Sequence, residues 1–305
     1  MRWIPSSKQS GQQHANRPPA AVDLSPQGAL AAALPGKGAP PVYAFAPLPP
    51  GALTPSIVEV NLHAVDAVIA AIRNTLGNVE PRTRAVTLIV PDAVVRVFVL
   101  DFDSLPGHAN EVIPVLRFRL RKMVSFDVEQ AGVSYQILSQ DETECRVLVA
   151  VMPGPILAEY EAAVRAAGYE PGAVLSSSLA ALSAVDAQQP VLAACLSGSS
   201  LTTAIANGQD LLLYRTLDLP ADPGLLLSEV QRDIAVAAAY FEDKLAARPH
   251  SLHFAGAGTA AEFARWLNEP ELTVVELAPR PTAGAATSLG NVSFAGITGA
   301  LAGVA

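Results

Sequence analysis

Charge is scarce in this chain: Asp, Glu, Lys and Arg make up 16% of its 305 residues, with 20 basic against 28 acidic side chains. A net charge of −8 with so few basic groups argues against nucleic acid as a main partner, because phosphate binding needs clustered Lys and Arg to release counterions. Cysteine is nearly absent. Cys145 and Cys195 lie in the apolar runs CRVLVAVM and VLAACL and read as small buried hydrophobes, not as a disulfide. His14, His63, His108, His250 and His253 show no C-x-x-C or H-x-x-x-H spacing, so no metal is expected. Long uninterrupted apolar runs are missing as well, although mean hydropathy is positive at +0.32. Ala187 to Gln209 is broken by Pro190 and by hydroxyl and amide side chains, and Val292 to Ala305 is too short to span a bilayer. Met1 to Ala20 has no apolar core of a secretory signal, so a cytoplasmic location is expected.

What the sequence does have is apolar material, 50% of the chain, enough for a large core; the length predicts two domains. Residues 1–20 carry no periodicity and read as a disordered tail. AVDL, GALAAAL and VYAFAPL then form three short strands, and a Pro-rich connection leads into a helix over Leu62 to Leu76, with Gly77 as its stop. Val86 to Val90 and Val94 to Phe102 are β-branched runs hinged at Pro91-Asp92, a turn pair expected to close a hairpin. A helix around Val115 to Val124, two strands (Val133 to Leu138, Cys145 to Met152) and a helix ending at Gly168 complete a β-β-α-β-β-α unit.

After residue 190 the pattern restarts. VLAACL, LTTAIA and DLLLYRTL again form three short strands, followed by a long helix with the stripe Val230, Ile234, Ala237, Phe241 and Leu245. A strand, a helix from Ala260 to Leu267, a strand and a final small-residue helix close the chain. The similarity of the two three-strand units is the nearest thing to an internal repeat.

Three glycine-containing turns carry the candidate chemistry, since turns with bare backbone amides are where phosphates bind. Gly256-Ala257-Gly258-Thr259-Ala260-Ala261 follows a strand, opens a helix and has Glu276 at the end of the next strand, as in the dinucleotide pattern G-x-G-x-x-G/A. A doubly wound dinucleotide domain needs further strand-helix units after that acid, and residues 277–305 leave no room for them. The plainer reading is a glycine pair chosen for tight strand-to-helix packing. The other two turns are Asp23-Leu24-Ser25-Pro26-Gln27-Gly28 and Leu196-Ser197-Gly198-Ser199-Ser200, one in each three-strand unit.

Two duplicated halves, each with a phosphate-type hairpin turn, and a Gly-Ala-Gly turn late in the second half describe the actin-like ATPase layout. The chain resembles the type IV pilus assembly protein PilM family, relatives of FtsA and of the cytoplasmic part of GspL. PLPPGALTPSIVEVNLHAVDAVIAAIRNTL is similar to that family's connection and helix, and VTLIVPDAVVRVFVLDFDSLP with MVSFDVEQAGVSYQIL to its inserted subdomain. SEVQRDIAVAAAYFEDKL resembles its long second-domain helix, and LHFAGAG its adenosine-side turn. The resemblance implies an α/β, ribonuclease H-like fold. Its parts are a first domain over 21–187 with an inserted β-β-α-β-β-α subdomain at about 84–168, a second domain over 188–290, and a C-terminal helix, 291–305, returning to the first.

The resemblance also implies a nucleotide site at Asp23, Ser25, Ser197, Gly198, Ser199, Gly256 and Gly258, and here the chain departs from the family. The family's turns read Asp-x-Gly. In this chain Ser25 and Pro26 follow Asp23, and Pro26 has no amide to donate. Ala194 or Leu196 stands where the second carboxylate and glycine belong, and no Asp or Glu occurs between Gln188 and Gln209. A degenerate site without cofactor is therefore expected, and no catalytic or metal-binding residue is assigned; ATP and Mg²⁺ would be its cofactors only in the rival reading of a working ATPase. What remains implied is a scaffold, cytoplasmic and peripheral at the inner membrane, that binds the cytoplasmic N-terminal segment of a PilN-type membrane protein alongside other pilus assembly proteins. Its peptide groove is expected along Val42 to Leu62 and Val94 to Phe102.

Two other polar features stand out. Arg117, Arg119, Arg121 and Lys122 form the densest basic cluster, read either as a solvated helix face or as a patch for acidic lipid or protein. Asp101 and Asp103 point to one side of a strand, an exposed strand end or a carboxylate pair.

Overall fold

Both halves of the chain wind their strands in one order, and the computed structural model, which describes residues 17–36, 38–185, 189–208, 210–279 and 292–302, traces that order twice. The tail expected over 1–20 lies outside the described residues up to Asn16. Strand β1 (Ala20–Ser25) turns through Pro26-Gln27 into β2 (Gly28–Ala33), which pairs with β3 (Val42–Pro47). β1 and β2 are buried on both faces, so their sequences are Ala- and Val-rich runs with no polar alternation. Helix α1 (Val65–Val79) buries Val68, Ile72, Leu76 and Val79. It runs through Gly77, the expected stop, because Val79 continues the buried stripe; Glu80 ends it with φ of 48°.

Strand β4 (Ala85–Val90) runs parallel to β1, and the 3₁₀ turn Asp92–Val94 leads into β5 (Arg96–Phe102). The hairpin expected at Pro91-Asp92 is not formed. β4 pairs within the first sheet, whereas β5 pairs with β7 (Cys145–Met152) of a separate three-stranded sheet, ordered β5-β7-β6, that includes β6 (Gly132–Gln140). The chain order β-β-α-β-β-α stands, but its strands divide between two sheets, because the buried Asp92 turns the chain out of the first. Helix α2 (Ala109–Leu120) covers the small sheet with Val112, Leu116 and Leu120; it begins before the expected Val115 and includes Pro114.

Helix α3 (Gly154–Ala166) returns to the first lobe and leads to β8 (Glu170–Ser176), parallel to β4, and to the short α4 (Ser177–Leu182). These last two elements have no counterpart in the sequence reading: EPGAVLS contains Pro and Gly, which an edge strand tolerates. The finished sheet has the order β3-β2-β1-β4-β8.

The second half repeats it. β9 (Val191–Ser197), β10 (Ser200–Asn207) and β11 (Asp210–Asp218) form the antiparallel meander. Helix α5 (Pro223–Leu245) follows, then β12 (Ser251–Gly256), α6 (Ala260–Leu267) and β13 (Thr273–Glu276), in the sheet order β11-β10-β9-β12-β13. Along β9 the side chains alternate between cores: Leu192 and Ala194 face α5 and α6, while Val191, Ala193 and Cys195 face the other lobe. Helix α7 (Ala295–Ala302) comes last and packs on α4 and on β1 of the first lobe.

The α4–α7 contact has no slack. A Cβ placed on Gly299 would lie 1.8 Å from the backbone oxygen of Ala180, whereas one on Gly77 of α1 would meet nothing within 4 Å. Gly299→Ala is therefore expected to destabilise the protein by about 1–3 kcal/mol, the usual cost of overpacking. Gly77→Ala should stabilise it by about 0.5–1 kcal/mol through helix propensity. Urea melts of the two variants check the pair; equal effects would refute the close-packing account.

Candidate inter-lobe site

A cleft of about 390 Å³ lies where the ends of β1, β9 and β12 meet α7. Its rims are the two hairpin turns. On one side Ser25 Oγ donates to Gly28 O at 3.3 Å, closing the Pro26-Gln27 turn; a side chain at Gly28 would collide with Ala46 O at 2.3 Å. On the other, Gly198 adopts φ of 60° at the tip of the β9–β10 turn, and Ser200 Oγ donates to Ser197 O at 2.9 Å.

The structure brings Asp23, Ser25, Ser197, Gly198 and Ser199 to one cleft lining. Gly256 and Gly258 do not line it, although their neighbours Ala255 and Ala257 do. A Cβ on Gly256 would press on the Phe254 ring at 2.6 Å and Leu196 O at 3.1 Å, so this glycine lets β12 pass close to β9. Gly258, with φ of 87°, makes the bend into α6. The first turn of that helix is occupied by carboxylates: Ala260 N–H donates to Glu276 Oε1 at 2.8 Å, and Thr259 and Glu262 form a reciprocal capping box. Two acids where a phosphate would sit satisfy the same amides and repel an anion.

No Lys or Arg is among the described residues that line the cleft. Among the described lining residues a triphosphate would find serine hydroxyls and backbone amides but no cation, and the acidic residue there is Asp23. That carboxyl is pushed up to about 8, first by desolvation and then by the charge of Asp92. The described residues hold no group of three or more His, Cys, Asp or Glu able to bind a metal ion. The donor set does not fit Mg²⁺-ATP, and no chemical step is derived through it.

Asp92, which the sequence reading treated only as a turn residue, is the polar centre beneath the cleft. It is 2% exposed. It accepts from Ser177 Oγ at 3.1 Å, from Ser178 N–H at 3.1 Å and from Ser178 Oγ at 2.5 Å. The signal for it was a lone acid inside the apolar run VPDAVV, with the Ser176-Ser177-Ser178 triplet far along the chain. Burial raises its neighbours too, Cys195 to about 12 and Tyr214 well above its ordinary value.

Other polar candidates do not converge. Asp101 pairs with Arg146 across β5 and β7 at 2.8 Å, Arg121 pairs with Glu129 at 2.6 Å, and Arg117 donates to Ala131 O at 3.0 Å. Both cysteines are free and buried.

No family model and no curated protein matches this chain. Among solved structures it is similar to the PilM–PilN type IV pilus biogenesis complex, with a TM-score of 0.73 and 19% identity over 94% of this chain and 98% of that one. It is also similar to the cytoplasmic domain of EpsL, an inner-membrane component of the type II secretion system of Vibrio cholerae (TM-score 0.50, 14% identity, 88% and 91% covered). A Bacteroides thetaiotaomicron protein of actin-like ATPase fold and unknown function gives a TM-score of 0.49 at 11% identity, over 85% of this chain and 91% of that one. At such identities the likeness establishes the fold, the actin-like arrangement that the PilM resemblance implied.

Asp23 makes a pH prediction. Its folded carboxyl holds a proton up to about pH 8, against about 4 when unfolded. Its contribution is thus intact below about pH 4 and is lost as pH rises through about 8. Asp23→Asn should melt a few degrees higher than the parent at neutral pH, with a gap that is negligible near pH 4, widens towards pH 8 and then stays level. Thermal melts across that range decide it; a gap independent of pH would show that Asp23 is not held neutral.

Proposed function

We propose that this chain is a non-enzymatic adaptor of type IV pilus or related type II secretion assembly, and that it binds the cytoplasmic N-terminal segment of a PilN-type inner-membrane protein. The observation that carries this reading is the shared fold with a PilM–PilN complex over nearly the whole chain, joined to an apolar groove between two sheet edges. The groove, about 520 Å³, runs between β6, an edge of the small sheet, and β8, an edge of the first. Val133, Tyr135, Leu157, Val174 and Leu179 line it, with Arg17 and Glu161 as its charged members. Unpaired strand backbone beside apolar pockets is what a peptide needs to add as a strand.

This groove is a different surface from the segments Val42 to Leu62 and Val94 to Phe102 that the PilM resemblance implied. Of Val94 to Phe102 only Val95 lines it, and nothing from Val42 to Leu62 does. β3 is the opposite edge of the first sheet, and Leu53, Thr54 and Pro55 line the inter-lobe cleft instead.

The cleft supports the non-enzymatic half of the reading, as a degenerate nucleotide site: its described lining has no Lys or Arg, Pro26 lacks an amide, and the α6 N-terminus is already capped by Glu276 and Glu262. Peripheral attachment through the partner accords with the fold, in which no helix of the described residues is long and apolar enough to cross a membrane.

Mixing the protein with a synthetic peptide from the cytoplasmic start of its neighbouring membrane protein should give a stable complex by calorimetry. Leu157→Asp with Val174→Asp should weaken it roughly tenfold or more, because unpaired carboxylates in an apolar groove cost more than about 1.4 kcal/mol. Failure to bind any such segment counts against the adaptor reading. A parallel titration with Mg²⁺ and ATP should give neither micromolar binding nor phosphate release, and hydrolysis by the purified chain would restore the ATPase reading.

A further inference from the structure

The inter-lobe cleft is complementary to a ligand of the opposite charge from a nucleotide. It has the volume of a small-molecule site, about 390 Å³, and apolar walls that include Leu24, Leu30, Phe45 and Leu53. Among its described lining residues Asp23 is the one acidic side chain, and none is Lys or Arg. Asp92, the other carboxylate nearby, already accepts three hydrogen bonds from Ser177 and Ser178. Asp23 has none of these. Its Oδ2 abuts the α7 backbone, where a Cβ on Gly296 would come within 3.1 Å, and α7 itself (AGITGALA) carries no ionisable side chain to neutralise it. A carboxyl lining an apolar cavity without a partner is costly to ionise and is relieved by a cation that brings its own apolar surface.

We propose that the cleft binds a small apolar cation, an amine or amidinium on a hydrocarbon body, with Asp23 as its counter-ion. The serine hydroxyls of the two hairpin turns, Ser25 and Ser199, line the same space and accept the remaining N–H groups. Asp92 after β4 is the charged group that acts on Asp23, and Ser177 on α4 and Cys195 on β9 share its cleft lining; none of them is a cation. A cationic guest binds the ionised carboxylate, so its affinity falls as protonation competes below about pH 8. The cleft is a separate cavity from the groove at β6 and β8.

The test is a calorimetric titration of the full chain with benzamidinium and with benzamide, its neutral isostere. Benzamidinium should bind and benzamide should not, and the affinity should weaken roughly tenfold per pH unit below about 8. Asp23→Asn should abolish binding without lowering the melting temperature of the unliganded protein. Ala257→Leu, at an exposed lining position, should weaken binding by narrowing the cleft, which keeps the test decisive if the first variant misfolds. Equal binding of the two probes, no binding of either, or binding unchanged in Asp23→Asn would overturn the proposal, as would micromolar binding of Mg²⁺-ATP to the same cleft.

Discussion

The rest of the structure depends on the contact between α4 and α7, two helices that follow the fifth strand of their respective sheets. Their backbones come so close at Ala180 and Gly299 that no methyl group fits between them. α7 belongs by sequence to the second half but lies on β1 of the first, while α4 reaches β9 of the second. Each half thus lends the other a helix. The cleft lies beside this contact: Gly296 of α7 and Ser177 and Ala181 of α4 line it together with residues of both hairpin turns.

Under that cleft the electrostatics run against phosphate. Burying a carboxylate is tolerated only when it is paired or hydrogen-bonded, and Asp92 meets the condition with three donors from the start of α4. Asp23 does not meet it and instead holds its proton. The strand order is that of the actin-like fold, and the glycines of the late turn serve packing. Gly256 clears the Phe254 ring and Gly258 makes a left-handed bend, and neither reaches the cleft lining.

The inserted sheet serves the first lobe differently. It is tied to the second by Arg96 and Asp218 at 2.9 Å, a partly exposed pair of modest energetic weight. Its own core of Leu116, Leu120, Val147 and Val149 is separate from the main one. Between that unit and β8, no strand of the described residues pairs with the outer edges of β6 and β8, and the groove they frame is largely apolar.

The sequence by itself determined the duplicated pattern of short strands, the long α5 stripe and the absence of Asp and Glu between Gln188 and Gln209, because these are local properties of spacing and residue type. Val230, Ile234, Ala237 and Phe241 are buried as their spacing requires. Where a local cue competed with burial, burial prevailed: α1 passes through Gly77 to bury Val79, and β8 forms despite Pro171 and Gly172 because it is an edge. Only the tertiary structure decided that Pro91-Asp92 separates two sheets and that Asp92 is held by serines 85 and 86 positions... away in sequence. It alone placed the apolar groove at β6 and β8 and left Asp23 without a partner. The reason is physical: each depends on which side chains meet across long sequence separations, and one-dimensional periodicity carries no record of that.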